Sequence, residues 1–194
     1  EHFSYFTVKV LSELLSKCEM ELIHVSLHPS KGGSIRAIAQ QKSGKRAVHE
    51  SVKSFIDAEK RAAIHKPETY IRFGNEIDLR KSELVGLIKQ IRADGHIIVG
   101  YGASHSTTTL IHHFEIGKYL DFIVDDNPIK HGLYSPGSHL PVYSSEKLYK
   151  DKPEYALVLA WQHQDSIIDS NKRYLDEGGK FIIPLPNMKI LNEK

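Results

Sequence analysis

The sequence contains a single cysteine, Cys18, among its 194 residues. One thiol excludes an internal disulfide framework and any zinc site built on a Cys-x-x-Cys pair within this chain. Long apolar runs are also missing, since none approaches the roughly 18 residues that a membrane-spanning helix needs. Neither sign of charge dominates: 26 Lys and Arg stand against 24 Asp and Glu, for a net charge of +2. The overall charge therefore gives no indication of nucleic acid or a membrane as a partner.

The beginning of the sequence also lacks familiar signals. Glu1-His2-Phe3 includes neither an initiator methionine nor a signal-peptide pattern, which predicts that the chain is a piece of a larger protein. Hydrophobic residues make up 40% of the chain and charged residues 26%, a balance typical of folded globular proteins.

Residues 1–41 have the pattern of a helix followed by two strands. Apolar residues recur every three or four positions from Thr7 to Cys18, which predicts one apolar helical face. Residues 21–27 and 34–39 alternate polar and apolar side chains, the period of strands buried on one face. Because a helix and two strands cannot bury a core alone, we expect this segment to close the sheet of a larger domain.

Residues 42–66 are predominantly polar and basic, and we interpret them as a linker that includes a solvated helix. Pro67 suits the first turn of a helix, and the apolar residues after it recur at threes and fours. The pattern predicts a helix of some seven turns that ends at Asp94-Gly95.

From residue 96 onward, short apolar runs alternate with helical stretches. The predicted strands are 97–99, 122–124, 155–159 and 181–183, and the predicted helices are 107–114, 144–149 and 164–175. Continuous apolar strands separated by helices indicate a parallel sheet covered on both faces. Residues 67–194 are therefore predicted to form a Rossmann-like, doubly wound α/β domain, in which strands 97–99 and 122–124 are adjacent and parallel.

Two segments of this domain have residues suited to ligand binding. Gly100-Tyr101-Gly102-Ala103 follows the first strand, where glycines permit a tight turn and a helix N-terminus favours an anion. Asp125 and Asp126 follow the second strand, about where dinucleotide-binding folds place a ribose-binding acid, but the third glycine of that fingerprint is missing. The alternatives are dinucleotide binding and a Rossmann-like scaffold that no longer binds NAD.

The loop from Asp125 to Pro141 leaves the carboxyl end of the second strand. It contains Lys130, two histidines, three prolines and two glycines. Either it is a rigid connection between strands or it holds a phosphate or a sugar. Trp161-Gln162-His163-Gln164, after the third strand, could line the same cleft. Although the chain has 12 histidines, none has a metal-ligand spacing, and we expect no metal site in it.

Several motifs together resemble one enzyme family. They are EHFSYF at 1–6, GYGA at 100–103, Asp121-Phe122-Ile123-Val124-Asp125 with Pro128-x-Lys130-x-Gly132, Pro136-Gly137-x-His139-x-Pro141, and Gly178-Gly179-Lys180-Phe181. In this order they resemble the C-terminal part of the sugar C-methyltransferases, which methylate C-3 of nucleotide-linked 4-keto deoxysugars. One departure is Ser106-Thr107, where family members commonly have Lys-Gly.

The resemblance implies a domain plan. Residues 1–41 would end a domain that binds S-adenosylmethionine, and residues 67–194 would be the family's C-terminal Rossmann-like domain. The glycine-rich loop for that cofactor and a zinc-binding domain would both lie upstream, so neither cofactor is expected on this chain. The resemblance also places the family's catalytic Glu-His pair on Glu1 and His2, with His2 as the base that removes a proton beside a ketone.

The resemblance thus implies the C-terminal portion of a cytoplasmic methyltransferase that acts on a nucleotide-linked keto-sugar, joined to upstream domains of the same polypeptide. The alternative is a noncatalytic Rossmann-like module for nucleotide binding or protein interaction. In the leading interpretation the substrate-binding residues are Gly100, Gly102, Ser104, His105, Lys130 and His139.

Overall fold

A computed structural model describes residues 4–29 and 33–192, which form two compact units. The division lies after Asn75, within the long helix α3 (Pro67–Ala93). The length of α3 agrees with the predicted seven turns. The sequence-based boundaries at residues 41 and 66 remain a prediction about the evolutionary domains.

The first unit pairs a β-hairpin with two helices. In chain order these are α1 (Val8–Lys17), β1 (Met20–His28), β2 (Ser34–Gln41) and α2 (Glu50–Arg61). The strands are antiparallel, and the buried side chains of Val8, Leu22, Val25 and Val52 form a small core. Both strands and α1 were predicted. The segment expected to be a solvated linker differs, because α2 packs into this core through Val52.

The second unit is built on a six-stranded sheet. Its strands are β3 (Ile98–Tyr101), β4 (Ile123–Val124), β5 (Val142–Tyr143), β6 (Tyr155–Val158), β7 (Lys180–Ile183) and β8 (Lys189–Leu191). They lie in the order β5-β4-β3-β6-β7-β8, and only β8 runs antiparallel to its neighbour. This is the strand order of doubly wound nucleotide-binding folds, so the predicted fold class is confirmed. The predicted parallel pairing of β3 with β4 is confirmed as well.

Helices cover both faces of this sheet. The C-terminal half of α3 and α4 (His105–Phe114) pack on one face, against side chains such as Ile98 and Ile123. The other face packs against α5 (Glu146–Asp151), α6 (Gln164–Ser170) and α7 (Lys172–Asp176) through side chains such as Val99 and Val124. Neighbouring residues of one strand thus enter opposite cores, which explains why the strands are apolar throughout.

Three elements of this unit differ from the sequence-based prediction. The two-residue strand β5 and the edge strand β8 were not predicted, because neither contains an apolar run long enough to recognise. The predicted helix 164–175 is interrupted at Asn171, whose buried amide donates to Ile167 O at 2.8 Å and to the Tyr101 hydroxyl at 3.0 Å. Accordingly α6 ends at Ser170 and α7 begins at Lys172, with Asn171 between them.

Candidate functional site

The strand order predicts a ligand-binding crevice at the carboxyl edge of the sheet. The chain leaves β3 toward β4 on one side, and after β5 it returns to β6 on the other side of β3. Open α/β sheets bind ligands where the order reverses in this way, outside the carboxyl ends of the strands. Here the turn Gly102–His105 follows β3, and the short 3₁₀ helix Trp161–His163 follows β6.

The two glycines at the end of β3 are explained by packing. Gly102 has φ +97°, and a Cβ on it would lie 2.5 Å from Ala160 Cβ and 3.1 Å from Ala160 N. A Cβ on Gly100 would collide with the side chain of Leu159. Both glycines therefore allow the turn after β3 to approach the turn after β6, whether or not a phosphate binds there.

Side chains at the start of α4 accept hydrogen bonds from backbone amides of its first turn. Ser104 is the N-cap, and its hydroxyl accepts from the Thr107 amide while the Thr107 hydroxyl accepts from the Ser104 amide. Thr107 is 2% exposed and its Oγ1 also donates to Gly102 O at 2.7 Å. This capping box gives Thr107 a structural role, at a position where members of the family that the motifs resemble commonly have glycine. His105, at the first helical position, is exposed to solvent.

Asp125 connects three segments at this edge. Its carboxylate accepts from the Ala103 amide at 2.6 Å, from the Asn127 amide at 2.9 Å and from Lys130 Nζ at 2.9 Å. Its own amide donates to Tyr143 O at 2.9 Å. Burial acts to raise the pKa of Asp125, but the two amides and the ammonium outweigh it and hold the pKa below the usual value. The ionised carboxylate therefore braces the loop after β4.

Lys130 has a different first partner from the one the sequence suggested. Its ammonium pairs with Asp125, while about a third of its side chain stays exposed. His131 also faces this carboxyl end, with Nε2 2.8 Å from Asp125 O. The positive charge of Lys130, which was expected to bind a phosphate of the ligand, is thus shared with the carboxylate of Asp125. This pair lies at the same edge as Ala103.

The structure does not bring His139 to this edge. Its loop packs at the C-terminal end of α4, where Pro136 O lies 3.0 Å from His112 Nε2. A Cβ on Gly117, just beyond α4, would lie 2.6 Å from the hydroxyl of Ser138. His139 therefore lies near the end of α4 opposite to His105. The expectation that the whole loop from Asp125 to His139 faces one crevice is wrong for its second half.

The remaining proposed site residues are Glu1 and His2, which lie outside the described residues. Of the substrate-binding candidates, the structure brings Gly100, Gly102, Ser104, His105 and Lys130 to the carboxyl edge of β3 and β4.

A polar network on the other face of the sheet was not predicted. The Tyr101 hydroxyl donates to the Asp126 carboxylate at 2.9 Å and accepts from the Asn171 amide, and Tyr149 donates to Asn171 Oδ1 at 2.9 Å. Burial raises the pKa of Tyr101 well above its usual value. The alternation of side chains along β3 identifies Tyr101 as facing away from Gly100, but no local pattern identifies its partners.

Two kinds of feature are absent from residues 4–29 and 33–192. No group of three or more His, Cys, Asp or Glu side chains in that part of the chain is arranged to hold a metal ion. Nor is any helix there both long and apolar enough to cross a membrane.

This chain is similar to known proteins over most of its length. Residues 29–186 match the family described as the C-methyltransferase C-terminal domain. The chain is 30% identical over 193 residues to the C-methyltransferase NovU of Streptomyces niveus, covering 99% of this chain and 46% of that protein. It thus spans about half the length of this curated relative. A UDP-D-quinovosamine 4-dehydrogenase from Vibrio fischeri is a distant structural neighbour, at 14% identity and a TM-score of 0.36, over 50% of this chain and 93% of that one.

Gly102→Ala is expected to destabilise the second unit by about 2–4 kcal/mol, since it adds a strained φ to a clash with Ala160. Gly132→Ala is the matched control, because Gly132 has φ +80° but nothing within 4 Å of its Cβ position. It should cost only the backbone strain, about 1–2 kcal/mol. Urea unfolding followed by the fluorescence of Trp161 measures both, and equal losses would contradict the packing explanation.

Asp125→Asn is expected to destabilise the second unit by about 2–3 kcal/mol at pH 7, because Lys130 loses its partner and one acceptor becomes a donor. The folded state depresses the pKa of Asp125, so its contribution is present above the unfolded value of about 3.9 and is lost as the pH falls through the lower folded value. The difference in unfolding free energy between the two proteins should therefore shrink below about pH 4.

Asp169→Asn serves as the control for this prediction. Asp169 pairs with Lys172 at an exposed position, 70% accessible, and its loss should change stability by less than about 0.5 kcal/mol. An Asp125→Asn protein as stable as the parent at pH 7 would show that the brace is dispensable.

Proposed function

This chain belongs to the C-methyltransferase C-terminal domain family, and on that premise we propose that it is the C-terminal portion of an S-adenosylmethionine-dependent enzyme that methylates a nucleotide-linked keto-sugar. Family membership carries the proposal. The second unit helps to bind the nucleotide-sugar, and the family's motif for the base falls in the segment before α1. Because the chain spans only part of its relative, the activity is a property of the full-length protein.

The base follows from the chemistry of the reaction. Methylation at a carbon beside a ketone requires removal of a proton from that carbon, which leaves an enolate. S-adenosylmethionine would supply the methyl group to that carbon, and S-adenosylhomocysteine would be the leaving group. A histidine ionises near neutral pH and suits this task, and a neighbouring carboxylate orients the ring and stabilises its protonated form. We assign these roles to His2 and Glu1 by their match to the family motif.

The methyl donor belongs to the part of the protein outside this chain. The described residues of the first unit form an antiparallel hairpin with two helices and contain no glycine-rich turn after a parallel strand. We therefore assign no step of the reaction to this chain's contact with S-adenosylmethionine.

The crevice favours a nucleotide-sugar over a dinucleotide. In dinucleotide-binding folds, the acid after the second strand accepts a hydrogen bond from a ribose hydroxyl. Here Asp125 occupies that position, and Ala103, Asn127 and Lys130 already use its oxygens. A phosphate group at the N-terminal turn of α4 remains compatible with this arrangement, with the exposed part of Lys130 beside it.

The catalytic assignment predicts a large effect of His2→Asn in the full-length protein. Turnover should fall on the order of 10²–10⁴-fold, while the KM for the nucleotide-sugar changes little. Glu1→Gln should cost less, because it removes orientation and charge but not the proton acceptor. His65→Asn, at an exposed position, is the control. A loss of less than about tenfold for His2→Asn would exclude this base.

The binding assignment predicts the opposite kinetic pattern at the crevice. His105→Ala and Lys130→Ala should each raise the KM for the nucleotide-sugar roughly three- to tenfold, the effect of one hydrogen bond, with kcat nearly unchanged. The increase should be larger at low salt for Lys130. Lys150→Ala removes an exposed lysine from the last turn of α5 and should have no effect. Unaltered KM values, or micromolar binding of NADH, would favour another role for this unit.

A further inference from the structure

The N-terminus of α1 is held by a carboxylate from a distant part of the sequence. The first turn of α1 contains no acidic residue of its own. Instead, the two oxygens of Glu59, on α2, accept hydrogen bonds from the amides of Val8 and Lys9, the second at 3.0 Å. The hydroxyl of Thr7 accepts from the Val10 amide at 3.2 Å and completes the cap. Three of the amides that begin the helix are therefore satisfied, two of them by Glu59.

This contact constrains direction as well as position. A helix N-terminus has partial positive charge and unpaired amides, so a carboxylate placed there is favourable. Because two oxygens meet two successive amides, Glu59 fixes both the start of α1 and the way the chain enters it.

The helix that supplies Glu59 is itself anchored. Val52 of α2 is 7% exposed in the core shared with Val8. The hydroxyl of Ser51 accepts from the Val25 amide of β1 at 3.1 Å, and the His49 amide donates to Ile23 O at 2.8 Å. Glu59 thus extends from an element fixed against the hairpin, and it can transmit that rigidity to α1.

We infer that Glu59 is a positioning residue for the reaction, acting through the segment that precedes α1. The inference rests on the proposed function, which places the base at His2, six residues before Val8. Fixing the first turn of α1 reduces the range of orientations open to the segment that enters it. A base must be held close to its productive geometry, and a displacement of about 1 Å can cost on the order of a hundredfold in rate.

The test uses steady-state kinetics of the full-length protein with S-adenosylmethionine and a panel of nucleoside diphosphate-linked 4-keto-6-deoxyhexoses. Glu59→Ala should lower kcat on the order of tenfold to a hundredfold, with the KM for the sugar unchanged. Glu59→Gln keeps one acceptor oxygen and should recover part of the loss. Asp57→Asn removes a carboxylate from the same helix that pairs with Lys60 and should leave kcat unchanged.

A second background separates positioning from stability. In a His2→Asn protein, Glu59→Ala should cause no further loss of kcat, because the group that it positions is gone. An equal loss in both backgrounds, or no loss in the parent, would overturn the inference.

Amide hydrogen exchange distinguishes a failure of this inference from a failure of the proposed function. Glu59→Ala should speed exchange of the Val8 and Lys9 amides, whatever the reaction is. If His2→Asn retains full turnover, the proposed base is wrong and the positioning role is overturned with it, even where exchange confirms the contact. If His2→Asn is inactive but Glu59→Ala is not, only the positioning role is overturned.

Discussion

The carboxylate of Asp125 holds together the edge of the sheet on which the candidate site depends. It receives hydrogen bonds from the turn after β3 and from its own loop, and its amide continues the ladder to β5. A buried carboxylate is costly unless it is paired and hydrogen-bonded, so these contacts must form together. The pairing with Lys130 then fixes where the loop can go after β4, and the other groups at the edge are arranged around it.

The hydrogen bonds of Asp125 also distinguish this unit from dinucleotide-binding proteins with the same strand order. Strand order and the turn after β3 follow the dinucleotide-binding pattern, but the acid at the second strand is used internally. Each glycine of the turn also has a packing neighbour after β6. A scaffold can keep its topology for packing reasons while its ligand changes, which is why the proposed function rests on family membership and not on the fold.

The two units share one kind of stabilising contact. In each, a carboxylate supplied from elsewhere in the sequence satisfies backbone amides at a turn or helix start: Asp125 at Ala103, and Glu59 at Val8 and Lys9. Such contacts stabilise the backbone without adding apolar surface. In both places a carboxylate helps to position a loop or a helix end, and at the start of α1 it acts beside the buried side chain of Val8.

Local sequence determined most of the framework. The apolar runs at β3, β4, β6 and β7 and the stripe along α3 repeat with periods that only a strand or a helix can satisfy, so these elements were predictable. The position of Gly102 at the carboxyl edge followed from them. The tertiary structure alone decided that Lys130 faces Asp125, that the loop containing His139 lies at the far end of α4, and that Glu59 reaches α1 across 50 residues of sequence. Periodicity records which face of an element is buried, whereas the partner of a polar side chain depends on which backbone approaches it after the chain has folded.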